Sequence, residues 1–372
     1  MAGAAFLFVG SLNRRLPSFP TANGRGIAVY AFDAGSGECR PLLLTEDIDN
    51  PSYLSVDPRR SCLYATSEVP GHGQGTVAAF RFDPVGGRLR YVSQQPTLGS
   101  IAAHNSLSHD GRFLLVANYG EGSVDERLDQ SVAIFPIRAD GGLDPACSSI
   151  AHQGRGPDSI RQERPHAHCA ISSPDGRTVL VADLGIDAVL CHGLSANGSL
   201  TRDREPFRLT PGCGPRQIVC HPARPFVYVI NELNSTIAAL RFESGRLRLI
   251  ETVSTIPETF RGENHSADLQ VGPDGRFLYG SNRGHDSIVA YVIDAETGRL
   301  TRVGHYPSGG KTPRSFAIDP TGQWLLAANQ NSDAVAVFRV DPVSGTLSDT
   351  GCRLGVGTPM CLKFLADSGM RP

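Results

Sequence analysis

The sequence predicts an all-β chain folded as a seven-bladed β-propeller, its first blade closed by the C-terminal strand. Three observations predict it. One strand ending recurs seven times at spacings suited to a four-stranded blade. A tight turn precedes almost every copy, and a Gly-x-Leu element follows many of them. The two ends of the chain each carry part of one repeat.

The recurring strands are Phe6–Ser11, Cys62–Ser67, Phe113–Asn118, Thr178–Asp183, Phe226–Asn231, Phe277–Asn282 and Trp324–Asn329. Their last residues are 56, 51, 65, 48, 51 and 47 apart. Turns such as Ser173-Pro-Asp-Gly-Arg177 and Gly272-Pro-Asp-Gly-Arg276 lie between apolar runs and make hairpins of them. A third strand follows, as in Thr76–Phe80 or Ala334–Phe338, and a fourth opens at Gly87-Arg-Leu89, Gly245-Arg-Leu247, Gly298-Arg-Leu300 and Gly345-Thr-Leu347. The first repeat lacks its first strand, and Thr358–Phe364 matches Lys311–Ala317 in type. Pairing the chain ends would remove open sheet edges. A helical solenoid is excluded by the alternating, β-branched patterning and by turns too frequent for helices of ten residues or more. One propeller domain is expected over residues 1–372.

Composition agrees. Gly (41) and Pro (26) are abundant and charged residues make up only 19%, which suits short strands joined by tight turns. The net charge of −2 and the absence of a basic run give no argument for nucleic acid. No apolar run reaches membrane-spanning length, and Met1–Ser11 reads as a strand, lacking a signal peptide's basic region and cleavage site. The nine cysteines are scattered, with no Cys-x-x-Cys pair, so neither a disulfide framework nor a zinc site is expected, and a reducing cytoplasm fits. A monomer or weak homo-oligomer is expected.

A repeat allows positions to be compared within one chain. In each blade the start of the first strand and the end of the second meet on the face opposite the turn, around one mouth of the axial channel. The residue six before the turn proline, or its equivalent, is Ser52, Ala103, His168, Arg216, Ala267 or Arg314, and Met360 in the closing strand. The residue just after the second strand is Leu12, Glu68, Tyr119, Leu184, Glu232, Arg283 or Gln330. Charge at strand ends is common and usually solvated. Structural roles tend to recur from blade to blade, however, and these residues do not, so His168, Arg216, Glu232, Arg283 and Arg314 are read as an anion site. Glu68 and Gln330 are read as ordinary rim residues. His104, His166, His265 and Asp268 lie near in sequence and join the candidate binding set.

The longer connections, residues 12–25, 69–75, 119–130 and 146–165, fall on the same face and could wall a pocket. His166 and His168 alternate on one strand, yet no third ligand is fixed at metal spacing and the arginines would repel a cation, so no metal and no cofactor is expected. Gly71–Gly75 lacks the following helix that a phosphate loop needs.

These residues resemble the propeller-type lactonases, which include bacterial 6-phosphogluconolactonases and fungal carboxy-muconate cyclases. The resemblance spans essentially the whole chain. It is carried by Gly156–His168, Gly214-Pro-Arg216, Asn231-Glu-Leu-Asn234, Ser281–Asp286, Thr312-Pro-Arg314 and Asn329-Gln-Asn331. It implies catalytic or binding roles for His168, Arg216, Glu232 and Arg283. It departs at His265, where relatives carry a small residue, and in a longer 121–130 loop.

The expected activity is hydrolysis of a sugar lactone, with 6-phosphogluconolactone preferred and a small anionic substrate as the only partner. Lactone hydrolysis needs an activated water, an oxyanion donor and a leaving-group acid. Glu232 or His168 could activate the water, Glu232 being taken first. Arginines could hold the oxyanion and a phosphate. No Gly-x-Ser-x-Gly motif is present, which favours direct attack by water. A carboxy-muconate cycloisomerase and a non-enzymatic binding propeller are the alternatives, the latter weakened by the absence of Trp-Asp signatures.

Overall fold

The computed structural model describes residues 4–16, 19–69, 74–121, 129–202 and 204–366. Among these, seven sheets are arranged so that their first strands pack side by side in a closed ring, in chain order. Those innermost strands are Pro359–Ala366, Pro51–Asp57, Ala102–Leu107, Ala167–Ser172, Pro215–Cys220, His265–Val271 and Pro313–Ile318, for blades 1 to 7. The C-terminal strand pairs antiparallel with Ala4–Ser11, setting Phe6 against Leu365 and Val9 against Leu362. Parts of the 12–25, 69–75 and 119–130 connections fall at residues 17–18, 70–73 and 122–128, outside the described residues.

Turn chemistry sets the hairpins. Gly111, Gly176, Gly275 and Gly322, in the turns between first and second strands, all have φ between 66° and 75°, where a side chain would be strained. The glycines that open the fourth strands behave likewise. Blade-to-blade contacts are apolar and recur. Buried Tyr64, Tyr228 and Tyr279 each send a hydroxyl to a glycine carbonyl of the next blade, at 3.0, 3.1 and 3.0 Å. This satisfies the one polar atom that such a large buried ring carries. Between blades 7 and 1, Trp324 Nε1 donates to the Ala34 carbonyl at 2.8 Å.

Blade 4 departs from the four-strand pattern. Its outer strand is broken into Leu200–Thr201 and Phe207–Arg208, which pair with opposite ends of Ala188–Leu194. Pro206 lies in the break and has no N–H to give to the ladder. No helix among the described residues is long and apolar enough to cross a membrane. All nine cysteines are free thiols.

Candidate active site

Two backbone devices repeat around the ring and build one mouth of the channel. The first is a β-bulge. The register of the innermost strand slips at Ser52, Ala103, His168, Arg216 and Arg314, at Met360 in the closing strand, and across Ala267 and Asp268 in blade 6. A bulge leaves one residue out of the ladder and re-aims its side chain. The second device ties the residue after each second strand to the entry of the first. Glu232 N–H donates to the Gly214 carbonyl at 2.7 Å, Tyr119 N–H to Ile101 at 2.8 Å and Gln330 N–H to Thr312 at 3.0 Å. The asparagines that end three second strands secure the same corner. Asn118, Asn282 and Asn329 each donate Nδ2–H to a carbonyl at the end of a fourth strand, at 2.8 Å. The Asn is thus a recurring tie, and the variable residue after it is free to serve the mouth.

A cavity of about 460 Å³ opens there. His166, His168, Arg216, Glu232, Arg283 and Arg314 line it together with Phe19, Glu68, Tyr119, Ile160, Arg161 and Glu163. Glu232 is its electrostatic centre. Its Oε1 takes Arg161 Nη2 at 2.7 Å, and its Oε2 meets Arg216 Nε and Arg283 Nη2, each at 2.9 Å. The last two approach as ion pairs without an N–H aligned for a hydrogen bond, so both nitrogens are buried donors lacking a directed acceptor. Burial alone would raise the Glu232 carboxyl. Arg283, Arg216 and Arg161 outweigh it and hold the group well below the usual carboxylate range.

Three guanidinium groups gather on one carboxylate, while over the whole lining Arg161, Arg216, Arg283 and Arg314 are matched by Glu68, Glu121, Glu163 and Glu232. Burial pulls Arg283 down to about 9, with Glu232 opposing the fall and Arg216 and Arg314 adding to it; it is still cationic at neutral pH. Arg314 stands apart. Its guanidinium lies 5.3 Å from the Phe19 ring centroid, and it makes no ion pair within 4.0 Å among the described residues.

His168 is 8% exposed, and its Nδ1 has no hydrogen-bond partner. Burial, with the Arg216 charge next, holds its imidazole well below the usual range, so the ring is neutral. Tyr119 meets it edge-on at 5.8 Å and stacks on His166 at 4.2 Å. Both nitrogens of His166 are engaged, Nδ1 with the Tyr119 carbonyl at 2.9 Å and Nε2 with Glu163 at 3.2 Å. That leaves His168 Nδ1 as the wall's buried imidazole nitrogen without a hydrogen-bond partner.

The remaining sequence candidates fall elsewhere. His265 stands at the lip, its Nδ1 4.0 Å from Glu232 Oε1. His104 lies one residue deeper than the bulge of its blade, and Asp268 is the second residue of the blade 6 slip. His104 packs at a tilt against Tyr53 with ring centroids 4.2 Å apart, and Asp268 accepts from Ser315 Oγ at 2.8 Å. They belong to a middle ring where blade 5's Gln217 reaches blade 2's Tyr53 hydroxyl at 3.1 Å and Lys363 reaches it at 3.3 Å. Arg161 lines the cavity and was not named by sequence reasoning; Tyr119, placed in the ring without a role, and Glu68, read as an ordinary rim residue, line it as well. Arg161 sits in the long 146–165 connection, which has no counterpart in other blades to be compared with; its presence in the Gly156–His168 stretch was the available signal.

Comparison with known proteins follows the same lines. The family model described as lactonase, 7-bladed beta-propeller matches residues 6–364. The 6-phosphogluconolactonase of Bacillus subtilis is 33% identical over 304 residues, covering 81% of this chain and 83% of the relative. A 6-phosphogluconolactonase of Formosa agariphila is 33% identical over 318 residues, covering 84% of this chain and 86% of the relative. The structure of the periplasmic gluconolactonase of Pseudomonas aeruginosa superposes with a TM-score of 0.89 at 36% identity, over 98% of this chain and 99% of the other. Seven closed blades, a bulge-built, arginine-lined mouth and a family match over nearly the whole length lead to one statement: the chain belongs to the seven-bladed β-propeller lactonase family.

Proposed function

We propose that this protein hydrolyses 6-phosphogluconolactone to 6-phosphogluconate, with His168 as the base that activates water. The observation that carries the reading is the gathering of Arg161, Arg216 and Arg283 on Glu232, beside a buried imidazole, that of His168, whose Nδ1 has no hydrogen-bond partner. The name 6-phosphogluconolactonase, borne by two curated relatives, supports the phosphorylated substrate.

The His168 imidazole takes a proton from water as the oxygen attacks the lactone carbonyl. The guanidinium groups of Arg216 and Arg283, which line the cavity beside it, stabilise the oxyanion. The tetrahedral intermediate collapses, the ring oxygen leaves, and the imidazolium returns the proton to it. Arg314, backed by Phe19, receives the phosphate. Glu232 is assigned a different part from the base first expected of it. A carboxylate held down by three cations has little proton affinity and instead fixes the three guanidinium groups. The free cysteines support a reducing, cytoplasmic setting.

Arg314→Ala tests this reading. It is expected to raise KM for 6-phosphogluconolactone by about tenfold or more while leaving kinetics on unphosphorylated gluconolactone within about twofold, since a charge-assisted contact is lost only where phosphate is present. Steady-state rates on both lactones check it. Equal losses on the two would assign Arg314 to the lactone ring rather than to a phosphate.

A further inference from the structure

We propose that Asp183, His152 and His192 form a clamp at the neck of the connection between blades 3 and 4, and that this clamp positions Arg161 and His168. As a claim about catalysis it rests on the lactonase reading above.

The argument begins with a break in the repeat. The residue ending the second strand is Ser, Ser, Asn, Asp, Asn, Asn, Asn around the ring, and Asp183 is its one carboxylate. Asp183 is fully buried, and a buried charge is tolerated only when donors surround it. Its Oδ1 accepts from the backbone N–H of His166 at 2.7 Å and of Gly185 at 3.1 Å. Its Oδ2 meets His152 Nδ1 at 2.7 Å, and His152 Nε2 meets His192 Nε2 at 3.1 Å. An ionised carboxylate only accepts, so His152 carries its proton on Nδ1. A single proton lies between His152 Nε2 and His192 Nε2, so one ring donates to the other and the two histidines are joined in one chain with the carboxylate.

One carboxylate holds both ends of an excursion. His152 is where the chain leaves blade 3 and His166 is where it enters blade 4. The residues between them carry Arg161. Further along, Gln162 Nε2 donates to the Leu184 carbonyl at 2.8 Å and to Asp187 at 2.7 Å. The clamp thus closes the base of a loop whose tip delivers Arg161 to Glu232. It also sets the strand entry two residues before His168. None of its three side chains lines the cavity. They act on the site through His166 and Arg161, as positioning residues.

The test compares His152→Phe with His152→Asn, whose amide N–H can replace Nδ1–H toward Asp183. Two readouts are used: calorimetric affinity for 6-phosphogluconate and hydrogen exchange of the amides at residues 160–168. His152→Phe is expected to weaken 6-phosphogluconate by about tenfold, because small displacements of positioned groups cost that much, and to lose protection of the His166 amide. His152→Asn is expected to restore the affinity to within about threefold and to regain that protection. Unchanged affinity in folded His152→Phe, or equal losses in both variants, would overturn the clamp. If His152→Phe does not fold, His192→Phe against His192→Gln is read in the same way. If the wild type fails to bind 6-phosphogluconate, the functional reading falls, and the exchange data still decide the clamp.

Discussion

His168→Asn is expected to lower kcat for lactone hydrolysis by about a hundredfold or more while changing KM by less than about threefold, the pattern left when a general base is lost and binding remains. Asn keeps a polar group of similar reach but cannot take a proton at neutral pH. The pH dependence gives the same test without a mutation. His168 is held well below its ordinary value of 6.5, first by burial and then by Arg216 and Arg314. The base is competent when neutral, so activity should fall as pH drops through the folded value, and the acid limb of kcat/KM should lie below pH 6.5. A bound anionic substrate offsets the arginine field and favours the imidazolium. The acid limb of kcat should therefore sit at higher pH than that of kcat/KM, which reports the free enzyme. Both limbs should vanish in His168→Asn. A variant that retains wild-type kcat would remove His168 from the chemistry.

Glu232→Gln is expected to strike stability as hard as activity. Removing the charge leaves Arg161, Arg216 and Arg283 facing a neutral amide in a largely buried site, and breaking such a network costs about 3–5 kcal/mol. The melting temperature should fall by several degrees, KM should rise as the guanidinium groups lose their common anchor, and inorganic phosphate should recover part of the stability by binding the exposed cations. Thermal melts with and without phosphate, alongside kinetics, check this. A normal melting temperature with kcat reduced about a hundredfold would instead mark Glu232 as the base.

Glu232 and His168 mark how far the sequence could be read. Both were legible as residues of one mouth, because the bulge and the corner tie recur around the ring, and a non-recurring residue at such a register is conspicuous. The division of labour proposed for them was not legible. It turns on Arg161, which reaches Glu232 from an insertion that no other blade shares. Likewise His104 and Asp268 were grouped with the mouth by nearness in sequence, whereas their side chains belong to the middle ring, His104 as the first residue past its bulge. In blade 6 the slip spans two residues, Ala267 and Asp268, which no pattern of apolar spacing reveals. The fold itself was read through its turns and its split first repeat, and the closing strand pairs in the expected blade. The broken outer strand of blade 4 was missed, although Pro206 marks it.

The central claim is that this arginine-lined mouth selects a phosphorylated lactone. The most direct measurement is the ratio of kcat/KM for 6-phosphogluconolactone to that for unphosphorylated gluconolactone, taken with one preparation of the wild-type protein at neutral pH. A phosphate held by a dedicated guanidinium is worth about 1.5–3 kcal/mol as a charge-assisted contact, so the ratio should exceed about ten. A ratio of one or below would contradict the account and point to an unphosphorylated sugar lactone as the substrate.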